Sequence, residues 1–211
     1  MAILSGALTL RRYRVAGQVP DEFRTLYADA LQDHAWKEPR EWAKGIEAVG
    51  WCQVHNLLDV DFGDLNRWMY NEYIVVAMRV DKKSLPAKYF KAHLDKKIQA
   101  WCQEHGRPKC PTGVKADIKE QLETEMMART LPRVATHEMC WNVVEGQVLF
   151  HNCSEGANDA FRKLFRHTFG LNLLPWSPLD FLAARPELAQ VLEVQGLSDL
   201  RAAPYSDGGD R

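Results

Sequence analysis

The stretch THEMCWNVVEGQVLFHNCSEG, residues 136–156, decides the fold. Met139, Trp141 and Val143 stand two apart before Glu145-Gly146, and Val148 and Phe150 stand two apart after it. A period of two sends alternate side chains to one sheet face, and a Gly-containing pair between two such runs signals a hairpin. With Glu145-Gly146 as the turn, Val143 is expected opposite Val148, Trp141 opposite Phe150 and Met139 opposite Asn152. One face becomes a nearly apolar wall. The other carries Glu138, Cys140, Asn142, Leu149, His151 and Cys153. In that register Cys140 faces His151 with Cys153 diagonal, a placement that could gather soft metal ligands. Structural zinc usually closes with a CxxC-type knuckle, which is absent, and free cysteine packs as a small apolar residue. The hairpin is therefore expected to supply core, and no metal or other cofactor is expected.

Downstream, Ser154 suits a helix cap, and Ala157, Ala160, Phe161, Leu164, Phe165 and Phe169 form a helical stripe that stops before Gly170. Upstream, Phe90, Leu94, Ile98 and Trp101 mark one helix between Pro86 and Gly106. Val114, Ile118, Leu122 and Met126 mark a second, ending before Pro132. The β-branched and aromatic runs at 49–62 and 72–80 read as strands, as does 7–15, and Phe23, Leu26, Tyr27, Ala30 and Leu31 follow helical spacing. The fold class expected is α+β: a mixed, mainly antiparallel sheet with helices packed on one side and two basic helices between the Leu-Pro junctions at 85–86 and 131–132. This region, of one or two lobes, is expected over 1–175, followed by a short helical segment at 176–195 and a frayed tail at 196–211.

The 211 residues carry a formal charge of −1, which argues against nucleic-acid binding by bulk positive charge. Five cysteines without CxxC spacing, no secretory leader in MAILSGALTLRR and no run of about 20 apolar residues predict a cytoplasmic protein with reduced thiols and no membrane contact. Charge is nevertheless concentrated. From Arg79 to Lys119 eleven basic residues face four acidic ones, a net +7 that leaves −8 for the remainder. Such a cluster, gathered into one surface, can neutralise phosphates without reading sequence. A solvated lysine-rich helix face is the ordinary alternative. Asp59, Asp61 and Asp64 could hold Mg²⁺ for phosphodiester cleavage, but short acidic turns between strands are far commoner, and no hydrolase or nucleotide-binding motif occurs.

Five quoted segments carry a family resemblance: LTLRRYRV (8–15), VDKKSLPAKYFKAHLDKKI (80–98), VKADIKEQLETEMMARTLPRVA (114–135), WNVVEGQVLFHNCS (141–154) and FGLNLLP (169–175). Together with Gly50-Trp51, in this order and spacing, the chain resembles the bacterial recombination-associated protein RdgC family as a short, divergent member. After Leu131-Pro132-Arg133 the family tends to have Ala then Phe, whereas this chain reads Val134, Ala135, Thr136, His137 and Glu138. The resemblance implies a non-catalytic, nucleoid-associated homodimer that binds DNA without sequence preference and restrains a RecA-type recombinase. Carried over residue by residue, the DNA-facing candidates are Lys82, Lys83, Lys115, Lys119 and Arg133. The charge pattern adds Lys88, Lys96, Lys97, Arg107 and Lys109. Competing readings are a protein–protein adaptor using apolar surface near Trp176 and Phe181, and a metal-dependent nuclease on the three aspartates.

Overall fold

The computed structural model describes residues 9–42 and 45–176. The chain divides into compact units at 1–174 and 175–211. The helical segment and tail expected beyond Trp176 lie outside the described residues, as does Phe181.

Among the described residues the strands are β1 (Arg11–Ala16), β2 (Glu47–Cys52), β3 (Met69–Tyr70), β4 (Tyr73–Lys82), β5 (Arg133–Asn142), β6 (Gln147–Phe150) and β7 (Asn172–Pro175). The helices are α1 (Phe23–Asp33), α2 (Ala87–Glu104), α3 (Thr112–Arg129) and α4 (Glu155–Phe169). The strands form one sheet in the order β2-β4-β5-β6-β1-β7, with β3 also pairing β4. The ladders β1–β6, β2–β4, β3–β4, β4–β5 and β5–β6 are antiparallel, so the α+β class stands.

The opening hairpin forms with its faces as expected and its register two residues away. Trp141 pairs with Val148, Met139 with Phe150 and Cys140 with Leu149. The loop holds four residues rather than two. Glu145 N donates to Asn142 Oδ1 at 2.9 Å, Gly146 takes φ +66°, and Val143 N is drawn to Glu72 O on the neighbouring turn at 2.9 Å. A slip of two preserves every side chain's face, whereas a slip of one would have inverted them all. Cys140 therefore faces Leu149 instead of His151, and among the described residues no group of three or more His, Cys, Asp or Glu is placed to hold a metal.

The core lies between this sheet face and the helices α1 and α4. Trp51, Ile74, Met78, Met139, Trp141, Val148 and Phe150 are fully buried on alternate strand positions, with Leu31, Phe161 and Phe165 against them. Phe150 stacks on Phe161 with centroids 3.9 Å apart, and Trp141 meets Tyr27, Phe165 and Phe169. Two polar atoms inside this layer are satisfied by α4, Trp51 Nε1 donating to Thr168 Oγ1 at 2.8 Å and the Tyr13 hydroxyl to Asn158 Oδ1, whereas Trp141 Nε1 and the Tyr27 hydroxyl are buried without a hydrogen-bond partner among the described residues.

Strand β2 ends at Cys52, ten residues before the expected end at 62. Asn56, Asp59, Asp61 and Asp64 each accept a backbone N–H two residues on, which bends 53–66 into successive turns instead of a ladder. The other edge of β2 is taken by the segment after α1: Trp36 N donates to Trp51 O at 2.8 Å and Trp51 N to His34 O at 3.0 Å. That approach requires Gly50, since a Cβ there would sit 2.4 Å from Trp36 Cα.

Helices α2 and α3 occupy the interval between β4 and β5. Lys82 and Arg133 are the last cross-strand pair of that ladder, so the two Leu-Pro junctions stand side by side where the chain leaves the sheet and returns. The helices pack mainly on each other through half-buried Phe90, Leu94, Ile98, Val114 and Ile118. No residue of α2 is fully buried.

Candidate nucleic-acid interface

The candidate cations lie at three places in the fold, the end of the β4–β5 ladder, the helices α2 and α3, and the loop that joins those helices. At the foot of the helical hairpin, Lys82 and Arg133 are cross-strand neighbours and both are exposed. Lys82 Nζ sits 2.6 Å from Glu47 Oε1 across the β2–β4 ladder. Lys83, one residue further, points the other way. It is 8% exposed, donates to Met127 O at 3.1 Å, and lies 5.2 Å from the centre of the Trp42 ring. Neighbours in sequence thus have opposite settings, because strand alternation at the end of β4 turns one ammonium outward and the next beneath α3.

The second group lies along the hairpin. Lys88, Lys96, Lys97, Lys115 and Lys119 are all exposed on α2 and α3, helices of 18 residues each and therefore about 27 Å long. Lys97 binds Glu125 across the pair at 2.9 Å, and that hydrogen bond holds the Glu125 carboxyl below its usual range. Arg129 also reaches Glu125 at 3.2 Å. The third group is the connecting loop, where Arg107 and Lys109 are exposed and Lys109 shares a hollow with Lys115 and Cys110. Positive charge is thus densest toward the loop end. Glu120, Glu123 and Glu125 offset it on α3 nearer the sheet.

The family model described as "Putative exonuclease, RdgC" matches residues 9–189, from β1 through every described element. The chain belongs to the RdgC family. It is therefore, at family level, a recombination-associated protein. No curated protein matches the chain.

On this RdgC fold the three aspartates are engaged in local structure. Asp59 binds Arg67 and accepts from Asp61 N, and the backbone bond first and then the arginine hold its carboxyl below the usual range. Asp61 closes a turn onto Gly63, and Asp64 caps the 3₁₀ turn Leu65–Arg67. The RdgC sheet also carries cations outside the Arg79–Lys119 window. Arg12 and Arg14 are exposed on β1, on the face opposite buried Tyr13, and the alternating RRYR at 11–14 was the available signal. Arg11 is bound to Glu155 at 2.8 Å. Among the described residues no helix is long and apolar enough to cross a membrane.

Proposed function

We propose that this RdgC-family chain is a homodimeric, sequence-independent DNA-binding protein of the cytoplasmic nucleoid that modulates a RecA-type recombinase. The observation carrying the reading is the paired helix: Lys88, Lys96, Lys115 and Lys119, with Arg107 and Lys109 at its loop, present exposed cations along about 27 Å. That length spans the phosphates of roughly eight nucleotides of one duplex strand at the 3.4 Å spacing of B-DNA. Lys82 and Arg133 extend the set to the end of the β4–β5 ladder. Lysine ammonium groups on helix faces bind phosphate as point charges, without reading base sequence.

Neutralising about six phosphates gives a log–log salt slope near −5. Fluorescence anisotropy with unrelated duplexes of equal length should show equal affinities that fall together as salt rises. Absence of binding at about 50 mM salt rejects the reading.

The family description names an exonuclease, and that activity has a direct assay: end-labelled DNA with Mg²⁺ or Mn²⁺. The turn-closing roles of Asp59, Asp61 and Asp64 favour intact substrate. A protein-partner role on the same fold is favoured by the half-exposed stripe of α2 and by Tyr89, 58% exposed, and is distinguished by partner binding that survives reversal of the lysine charges.

A further inference from the structure

A cleft of about 1080 Å³ lies between the segment 38–42, which follows α1, and helix α3. Its lining combines an aromatic ring, Trp42, with a buried ammonium, Lys83, and the apolar Met127. Lys83 is 8% exposed, and among the described residues its hydrogen-bond acceptor is Met127 O at 3.1 Å. An ammonium carries three donors, so one carbonyl leaves donor capacity on Lys83, which lines the cleft. Trp42 Nε1 is directed at Glu38 Oε1, at 3.4 Å, so the indole is tethered by its edge with its ring beside the cavity. Lys119 and Arg40 stand exposed at the rim, and so do the carboxylates of Glu38, Glu41 and Glu120.

We propose that this cleft receives one unstacked base of a DNA strand, with Trp42 as its stacking platform, Lys83 Nζ as donor to a base oxygen or ring nitrogen, and Lys119 and Arg40 at the flanking phosphates. The inference rests on the DNA-binding reading and deepens it. The mixed charge of the rim favours this occupant over a phosphate. Carboxylates repel a phosphodiester from most of the opening, while an uncharged planar base passes between them and is met by an aromatic face and a desolvated donor. A base stacked on the same face of Trp42 as the Lys83 ammonium, which lies 5.2 Å from the ring centre, has that donor at its edge. A base inside a duplex is stacked and paired, so the cleft adds affinity for single strands.

The decisive comparison needs no variant: a labelled single strand of about 20 nucleotides against the same strand with abasic residues throughout, which has the same phosphates without bases. Base–aromatic stacking predicts that the wild-type protein binds the base-bearing strand about tenfold more tightly. Trp42→Leu keeps apolar bulk and removes the π-face, and should close that gap with duplex affinity unchanged within about twofold, while Trp42→Phe keeps most of it. Equal binding of the two strands by wild-type protein, or a gap that persists in Trp42→Leu of wild-type circular dichroism, overturns this inference and leaves the DNA reading standing. Failure to bind any strand or duplex at about 50 mM salt overturns the DNA reading itself.

Discussion

Arg79 and Asp81, two residues apart on β4, form a two-point ion pair beneath the surface: Nε to Oδ1 at 2.7 Å and Nη2 to Oδ2 at 2.6 Å, with Asp81 fully buried. The guanidinium also donates to Leu57 O at 3.0 Å and lies 3.6 Å from the centre of the Trp36 ring. The hydrogen bonds that Arg79 donates to Asp81, before any other cause, raise the Arg79 pKa. One residue thus fastens both the 34–36 segment and the 53–64 loop onto the sheet. Replacing Asp81 by Ala leaves a buried cation without its partner and should cost about 3–5 kcal/mol in urea unfolding. Arg79→Met with Asp81→Leu should recover much of that loss.

Gly50→Ala should act at the same edge. The new methyl would meet Trp36 backbone atoms at 2.4 and 2.6 Å, and backbone cannot rotate aside as a side chain can. A loss of about 1–3 kcal/mol is expected. Faster hydrogen exchange at Trp36 N and Trp51 N, relative to amides of β5, locates the damage.

His137 gives the stability a pH dependence. Burial first, and then the charge of His151, hold His137 below its ordinary value of 6.5. The unfolded chain therefore takes up this proton at a higher pH than the folded one. The contribution is complete above about pH 7 and declines as pH falls through 6.5 toward the folded-state value. Urea midpoints measured from pH 7.5 to 5 should fall, and His137→Gln should flatten that slope.

The cysteines should divide by access. Burial pushes the Cys52 thiol up to about 12, whereas Cys153 is exposed. At about pH 8 a disulfide reagent such as DTNB should modify Cys153 promptly and Cys52 only after denaturation, followed by mass spectrometry of the labelled peptides.

For the cationic hairpin, Lys96→Glu with Lys115→Glu should weaken binding equally on unrelated DNA sequences and lower the magnitude of the salt slope by about 2. Lys163→Glu, an exposed residue of α4, should leave both unchanged. Lys82→Gln separates two effects: its exposed pair with Glu47 is worth under about 1 kcal/mol of stability, while DNA affinity should fall measurably.

Periodicity made most of the fold legible. The alternation through Met139, Trp141, Val148 and Phe150 placed the correct wall inward, and the stripes of α2, α3 and α4 located those helices between their Pro and Gly boundaries. What failed was local side-chain chemistry competing with a longer pattern. Asn142 accepts the Glu145 amide and widens the turn, and Asn56, Asp59 and Asp61 bend the chain beyond Cys52 although the apolar content of 49–62 reads as strand. The site was less legible. Lys82 and Lys83 are identical in composition terms, and only the position of Met127, 44 residues away, determines that one ammonium is covered. Trp42 carried no signal at all, because the ammonium over its ring comes from Lys83, just beyond β4, and the facing wall of its cleft from α3.

The ladder that closes at Lys82 and Arg133 brings together residues with fifty others between them. Since the β4–β5 register runs unbroken to that pair, a two-residue turn in place of the interval would produce an uninterrupted meander. The helical arm is accordingly a graftable appendage. Its length and charge can be redesigned, or drift between relatives, while the aromatic interior beneath α1 and α4 stays as it is.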